Sequence, residues 1–182
     1  MVTLKETQEA GSLFFLTIKS INGLPILASE KYYKTILDSL DYCRKNKGWK
    51  IYAYTILINH LHLVLKIMEG NSLSGTVKEF KSFTAHEILK LLKEDKRYNV
   101  LDELRMAAYK TEDRDYKIWR KSCWPETISS EKFLRQKIKY TDLNAMKHGV
   151  VEDIENYPYT SYHNHYCEHE FILKIDDMGE LF

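Results

Sequence analysis

With 182 residues, 44% hydrophobic and 29% charged, the chain is large and apolar enough for one domain with a real core, which excludes a disordered polyelectrolyte. It shows no apolar run near the roughly 20 residues of a membrane helix and no signal-peptide pattern at Met1–Glu6. Its widely spaced Cys43, Cys123 and Cys167 argue against a disulfide framework or zinc knuckle, so a cytoplasmic protein without a membrane partner is expected. The formal charge of +1 hides a gradient: residues 78–147 carry 17 basic and 12 acidic side chains, residues 148–182 only 1 and 8. The basic body suits a polyanionic partner, although charge is also the ordinary filling of a solvated face.

Leu13-Phe14-Phe15-Leu16-Thr17-Ile18-Lys19 is aromatic and β-branched and predicts a buried strand. Asn22-Gly23-Leu24-Pro25 is turn chemistry. Ser29 can cap a helix whose apolar set runs Tyr32, Tyr33, Ile36, Leu37, Leu40 and Cys43, stopped by Asn46-Lys47-Gly48. Trp49 to Ile58 predicts a second strand, with Ile51, Ala53, Thr55 and Leu57 sharing one side. Asn59 marks a turn, and His60 to Ile67 is the third strand. Ser72 or Ser74 opens a long helix over 73–93 with Val77, Phe80, Ile88 and Leu92 on its apolar face. The stretch 94–115 is charged and holds room for a short helix over Val100–Tyr109. Tyr116–Lys121 reads as a fourth strand. Ser129 or Ser130 caps a second long helix through Phe133, Ile138 and Met146, closed by Gly149. The acidic tail, residues 150–182, holds Tyr157-Pro158-Tyr159-Thr160-Ser161-Tyr162, a loop packed back on the body. The whole, residues 1–182, reads as one domain. The order strand, helix, strand, strand, helix, strand predicts an α+β, ferredoxin-like sandwich: an antiparallel sheet with helices packed on one face.

Two stretches carry chemistry. In the third strand His60 and His62 are two apart, so both rings leave by one face while Leu61 and Leu63 leave by the other. Two neutral imidazoles on a rigid sheet suit a divalent metal if further ligands are supplied; a pair of hydrogen-bonded core histidines gives the same pattern. His163-Asn164-His165 repeats the spacing in a polar, aromatic context and reads as surface structure. The second stretch is Ile138 to Val151. On a helix Tyr140 and Asn144 share a face, and the Asn144 amide oxygen is a hard ligand for Mg²⁺ or Mn²⁺. Tyr140, at the metal, could attack a phosphate and form a covalent ester, or it could be one more tyrosine packing its helix on the sheet.

Asn59-His60-Leu61-His62-Leu63-Val64-Leu65 followed by Tyr140-x-x-x-Asn144-x-x-Lys147-x-Gly149-Val150 resembles the one-tyrosine HUH transposases of insertion sequences, and within them the REP-associated tyrosine transposase branch. The resemblance runs from about Phe14 to Tyr162 and includes Lys78 to Ala85, Trp119-Arg120 and the Pro158 to Tyr162 signature. Ala145-Met146 stand where that branch usually has Pro-Val. The resemblance implies a ferredoxin-like endonuclease and strand transferase that cleaves single-stranded or hairpin DNA. His60, His62 and Asn144 match its metal ligands for Mg²⁺ or Mn²⁺. Tyr140 matches its nucleophile, which keeps the 5′-phosphate. Arg120, Lys121, Lys139 and Lys147 are candidate DNA-binding contacts. A homodimer in which the partner supplies the tyrosine helix is compatible with this reading. The alternative is a catalytically impaired nucleic-acid-binding module of the same fold.

Overall fold

The computed structural model describes residues 11–109, 115–167 and 171–181; the Met1–Glu6 segment and residues 110–114 of the charged stretch lie outside the described residues. Four strands are built by β1 (Leu13–Lys19), β2 (Trp49–Leu57), β3 (His60–Ile67) and β4 (Glu126–Ile128). They pair antiparallel in the order β2-β3-β1-β4. Between and after them lie α1 (Glu30–Asn46), α2 (Leu73–Glu94), α3 (Tyr98–Tyr109), α4 (Glu131–Asp142), α5 (Asn144–Lys147) and α6 (Tyr162–Tyr166). This is the expected ferredoxin-like α+β arrangement.

Alternation decides which side chains meet which layer. Phe14, Leu16 and Ile18 of β1 and Leu61, Leu63 and Leu65 of β3 pack with Ile36 and Leu40 of α1 and Phe80 and Ile88 of α2 in the main core. Phe15 and Val64, one residue out of phase, meet Leu134 and Ile138 of α4 on the opposite face. The helices of the expected sandwich, α1 and α2, thus share one face, and α4 adds a third layer across the sheet. Leu61, Leu63 and Leu65 are each fully buried, and burial of one such side chain is worth about 1.5–3 kcal/mol. A one-residue slip of β3 would take all three out of the main core to the α4 side and turn His60 and His62 into that core, so the register of the histidines is set by the leucines.

Three expectations need correction. Tyr116–Lys121 is not the fourth strand. Among the described residues it pairs with the sheet only at a bridge between Ser20 and Trp119, and its apolar residues are buried in the main core, where the Trp119 indole donates to Thr84 Oγ1 of α2 at 3.0 Å. The pairing strand comes later, where Glu126–Ile128 lies against Leu13–Phe15. In β2 the even alternation fails because the register shifts between Ile51 and Ala53. This bulge leaves Ile51 in the main core and places Ala53 on the α4 side. The tyrosine helix is not continuous: α4 ends at Asp142, Leu143 leaves helical geometry (φ −92°, ψ 9°), and α5 follows. Gly149, at φ +65°, closes it as expected. Its N–H donates to the Met146 carbonyl, and the Val150 N–H donates to that of Ala145, a Schellman arrangement that needs a left-handed residue.

The acidic tail covers the free edge of β2. Ile56 N–H donates to Tyr159 O at 2.9 Å and Ser161 N–H to Tyr54 O at 2.8 Å. Further along, the Asp176 carboxylate accepts from Ile51 N–H at 2.9 Å and lies 3.3 Å from the Lys50 ammonium. An exposed sheet edge invites pairing with other chains, and this one is capped. Among the described residues no helix is long and apolar enough to cross a membrane.

Candidate active site

His60 and His62 leave β3 on the α4 side of the sheet, as the spacing requires, with ring centroids 5.0 Å apart. Each ring is fixed by its Nδ1. His62 Nδ1 is 2.9 Å from Thr17 Oγ1, a cross-strand neighbour on β1. His60 Nδ1 is 2.6 Å from Asn59 Oδ1. The Asn59 amide is oriented by its own nitrogen, which donates to Gly23 O at 3.1 Å. Its oxygen therefore faces His60 and can only accept, so His60 carries its proton on Nδ1 and leaves the Nε2 lone pair free. Burial, then the nearby His148 and Lys19, hold the His60 pKa down at about 4. Burial, then His60, Lys19, His148 and Lys137, hold His62 down at about 3. Both rings are thus neutral at physiological pH, the form that ligates metals.

The tyrosine helix brings Tyr140 to the same place. Its half-buried ring stands edge-on to His62 at 5.4 Å and to Phe15 at 5.7 Å, while Phe15 stacks on His62. After the break at Leu143 comes Asn144, with no exposed surface. Its amide faces His60 closely enough to favour that ring's proton slightly, yet neither its oxygen nor its nitrogen has a hydrogen-bond partner. A buried amide left unpaired is costly and uncommon, and this one faces the neutral His60 ring, which is itself next to His62. Among the described residues no group of three His, Cys, Asp or Glu side chains is arranged to hold a metal ion. A ligand set built here would therefore be two histidines plus the Asn144 oxygen, leaving positions for phosphate or water. A hard divalent ion such as Mg²⁺ or Mn²⁺ suits the amide oxygen. His60, His62, Tyr140 and Asn144 meet within one chain.

Cations surround it. An open groove of about 530 Å³ runs along α4 and α5, lined by Gln136, Lys137, Lys139, Tyr140, Leu143, Met146 and Lys147. The Lys147 ammonium lies 4.4 Å from the Tyr140 ring centroid. Lys139 is exposed on the same helix. Arg120 and Lys121 are exposed in the loop after Trp119. Lys81 donates to both of their carbonyls, and Arg120 N–H donates to Lys19 O at the His60 end of β1. Sequence reasoning did not pick out Thr17, Lys19, Lys137 or His148. His148, whose ring is 5.2 Å from His60, stood inside the quoted motif. The other three come from β1 and the preceding turn of α4, and only pairing and packing bring them here. In the second histidine pair both residues are partly buried, and His165, with only 9% of its side chain exposed, bonds to Asp142.

A protein-family model described as "Transposase IS200 like" matches residues 25–112, a span that holds both histidines and stops short of Tyr140. The chain is 28% identical over 112 residues to a protein of Haemophilus influenzae described as a REP-associated tyrosine transposase, covering 61% of this chain and 57% of that protein. It is 21% identical over 154 residues to the REP-associated tyrosine transposase of Escherichia coli K12, covering 84% and 78%. The chain thus spans little more than half the length of the Haemophilus relative. A solved structure of a REP-associated tyrosine transposase bound to a REP hairpin matches the fold with a TM-score of 0.66 at 20% identity, over 90% of this chain and 84% of that one.

Proposed function

The chain is a homologue of the IS200-like, REP-associated tyrosine transposases, and from that premise we propose that it is a metal-dependent endonuclease and strand transferase acting on single-stranded, hairpin-bearing DNA. The observation that carries this reading is the meeting, in one chain, of two neutral imidazoles, a buried unpaired amide and a tyrosine ring 5.4 Å from one of the imidazoles. His60, His62 and Asn144 would hold Mg²⁺ or Mn²⁺, which when bound polarises a phosphate oxygen. Tyr140 supplies the nucleophile. Its hydroxyl oxygen forms the new bond to phosphorus, the bond from phosphorus to the 3′-oxygen breaks, and the proton lost by the phenol is balanced by the one gained by the departing 3′-hydroxyl. The product is a 5′-phosphotyrosine ester, and attack on it by another 3′-hydroxyl rejoins DNA without ATP. Lys139 and Lys147 flank the tyrosine along the groove, and Arg120 and Lys121 lie toward the His60 end of the sheet. These four are the proposed phosphate contacts.

The hairpin preference is carried over from the relative solved on a REP hairpin, and the basic surroundings of Tyr140 support a nucleic acid in general. The test is incubation of the chain with single-stranded hairpin DNA labelled at its 3′ end, the side that stays on the tyrosine, and Mn²⁺, followed by denaturing electrophoresis. A labelled protein band that survives denaturation and needs both Mn²⁺ and Tyr140 is expected. Binding without any such band would favour the impaired binding module instead.

A further inference from the structure

Between Tyr140 and Asn144 the chain carries Asp142, a carboxylate with no exposed surface that the proposed chemistry does not use. Its Oδ1 accepts from Ser161 Oγ at 2.5 Å and its Oδ2 from His165 Nδ1 at 2.7 Å. Its main-chain carbonyl accepts from Thr160 Oγ1 at 3.1 Å. All three donors belong to the tail, and the tail is itself fastened to β2. Ser161 Oγ accepts from Tyr54 N–H at 2.9 Å, and Ser161 N–H donates to Tyr54 O. The last residue of α4 is therefore tied, through the tail, to the sheet edge.

A buried carboxylate is costly unless its oxygens are satisfied, and removing one partner of such a group leaves the charge uncompensated. Here both oxygens are met, and the cluster stands where the backbone changes direction: Leu143 leaves the helix one residue later and Asn144 opens α5. The main-chain bond from Thr160 also satisfies a carbonyl that the break would otherwise leave at a helix end. We propose that Asp142, held by Ser161 and His165, is a positioning residue. It fixes the break between α4 and α5 and with it the direction in which Asn144 meets His60 and His62. The tail is then part of the frame of the active site as well as a cover for β2. This rests on the metal-binding reading above.

The test uses the full chain with His165→Asn, His165→Ala and Asp142→Asn. Asparagine at 165 can present an amide N–H where Nδ1 stands, whereas alanine removes the donor. Asp142→Asn keeps the shape and replaces one acceptor with a donor. Two quantities are read below the melting temperature of every variant: the side-chain ¹⁵N–¹H resonances of Asn144, and Mn²⁺ affinity from the electron paramagnetic resonance of the free ion. His165→Ala should move the Asn144 resonances and weaken Mn²⁺ binding at least tenfold, and Asp142→Asn should do the same. His165→Asn should leave both within twofold or unshifted. Should His165→Ala fail to fold, Asp142→Asn carries the comparison. Unmoved Asn144 resonances in folded Asp142→Asn or His165→Ala overturn the proposal, as do equal losses in His165→Asn and His165→Ala. A wild-type chain that binds no Mn²⁺ while its Asn144 resonances follow this pattern sinks the metal reading and leaves the positioning role standing.

Discussion

Replacing Asn144 with leucine exchanges a buried amide, unpaired at both atoms, for an apolar side chain of similar shape. Each unpaired buried polar group costs about 1–3 kcal/mol. Imperfect packing of the branched replacement returns up to roughly 1.5 kcal/mol of that. With two such atoms, the metal-free variant should therefore be more stable than the wild type by about 0.5 kcal/mol or more, and at this chain length each kcal/mol moves the melting temperature by about 2–4 °C. Metal reverses the order. At a Mn²⁺ concentration of about 100 times Kd the wild type gains about 2.7 kcal/mol by mass action, while the variant, short of one of three protein ligands, gains much less. The assay is thermal melting by circular dichroism in EDTA and across a Mn²⁺ titration, with crossing stabilities as the expected result. A variant destabilised in EDTA by more than about 1 kcal/mol would show that the amide is satisfied in solution. An equal Mn²⁺-dependent rise in both proteins would remove Asn144 from the ligand set.

Tyr140→Phe should abolish the covalent adduct while DNA binding persists and stability changes by no more than about 0.5 kcal/mol, the range of surface substitutions. The control is Tyr98→Phe, exposed on α3, rather than Tyr162, which packs in the cluster containing Ala145 and Leu143. A full adduct yield from Tyr140→Phe refutes the assigned nucleophile. His60 and His62 have folded pKa values of about 4 and 3, below the ordinary 6.5, so the unfolded chain binds more protons between about pH 6.5 and 4. Stability in EDTA is therefore fully present above that window and falls as the pH drops through it, by up to about 1.4 kcal/mol per pH unit for each ring. Urea unfolding at pH 7, 6 and 5 should show this fall and show it diminished in a His60→Gln, His62→Gln variant; identical slopes would contradict it. DNA affinity should decline with salt by roughly 0.7 logarithmic units per decade for each phosphate neutralised on a single strand, and Lys139→Gln with Lys147→Gln should flatten that slope. Trp124→Ala should weaken single-strand binding, because Trp124 is 64% exposed and available to stack on bases. Trp119→Ala should instead destabilise the fold, since its indole is buried and bonded to Thr84.

The histidine strand was legible in the sequence because one local pattern carries two constraints. Leu61, Leu63 and Leu65 must be buried on one face, and that alone orients His60 and His62 on the other. The same two-residue spacing at His163 and His165 falls in a short helix, α6, where no sheet face exists to hold two rings together. The fourth strand differs for a related reason: Ile118 and Trp119 are buried, as strand residues would be, but by packing into the main core rather than by ladder pairing. Burial leaves the same apolar signature whichever way it is achieved, and only the partner strand decides between them. The bulge in β2 was hidden because both faces of that strand are covered, so a one-residue shift replaces one buried apolar contact with another and leaves no polar residue out of place.

What the sequence could not disclose is long-range in a specific sense. Thr17 orients His62 across 45 residues of chain, and Ser161 and His165 reach Asp142 across 19 and 23. Each of these side chains is unremarkable at its own position: a threonine in a strand, an acid at a helix end, a serine in a loop. Their meaning appears only when strand order brings β1 beside β3 and the tail beside β2. The residues proposed to carry chemistry lie on elements with strong local signatures, whereas those that aim them come from wherever the topology happens to pass. A reader of the sequence finds His60, His62, Tyr140 and Asn144 as a motif. On the proposal above, the reason Asn144 faces His60 without a continuous helix to place it lies in Asp142 and the tail, a connection no local period encodes.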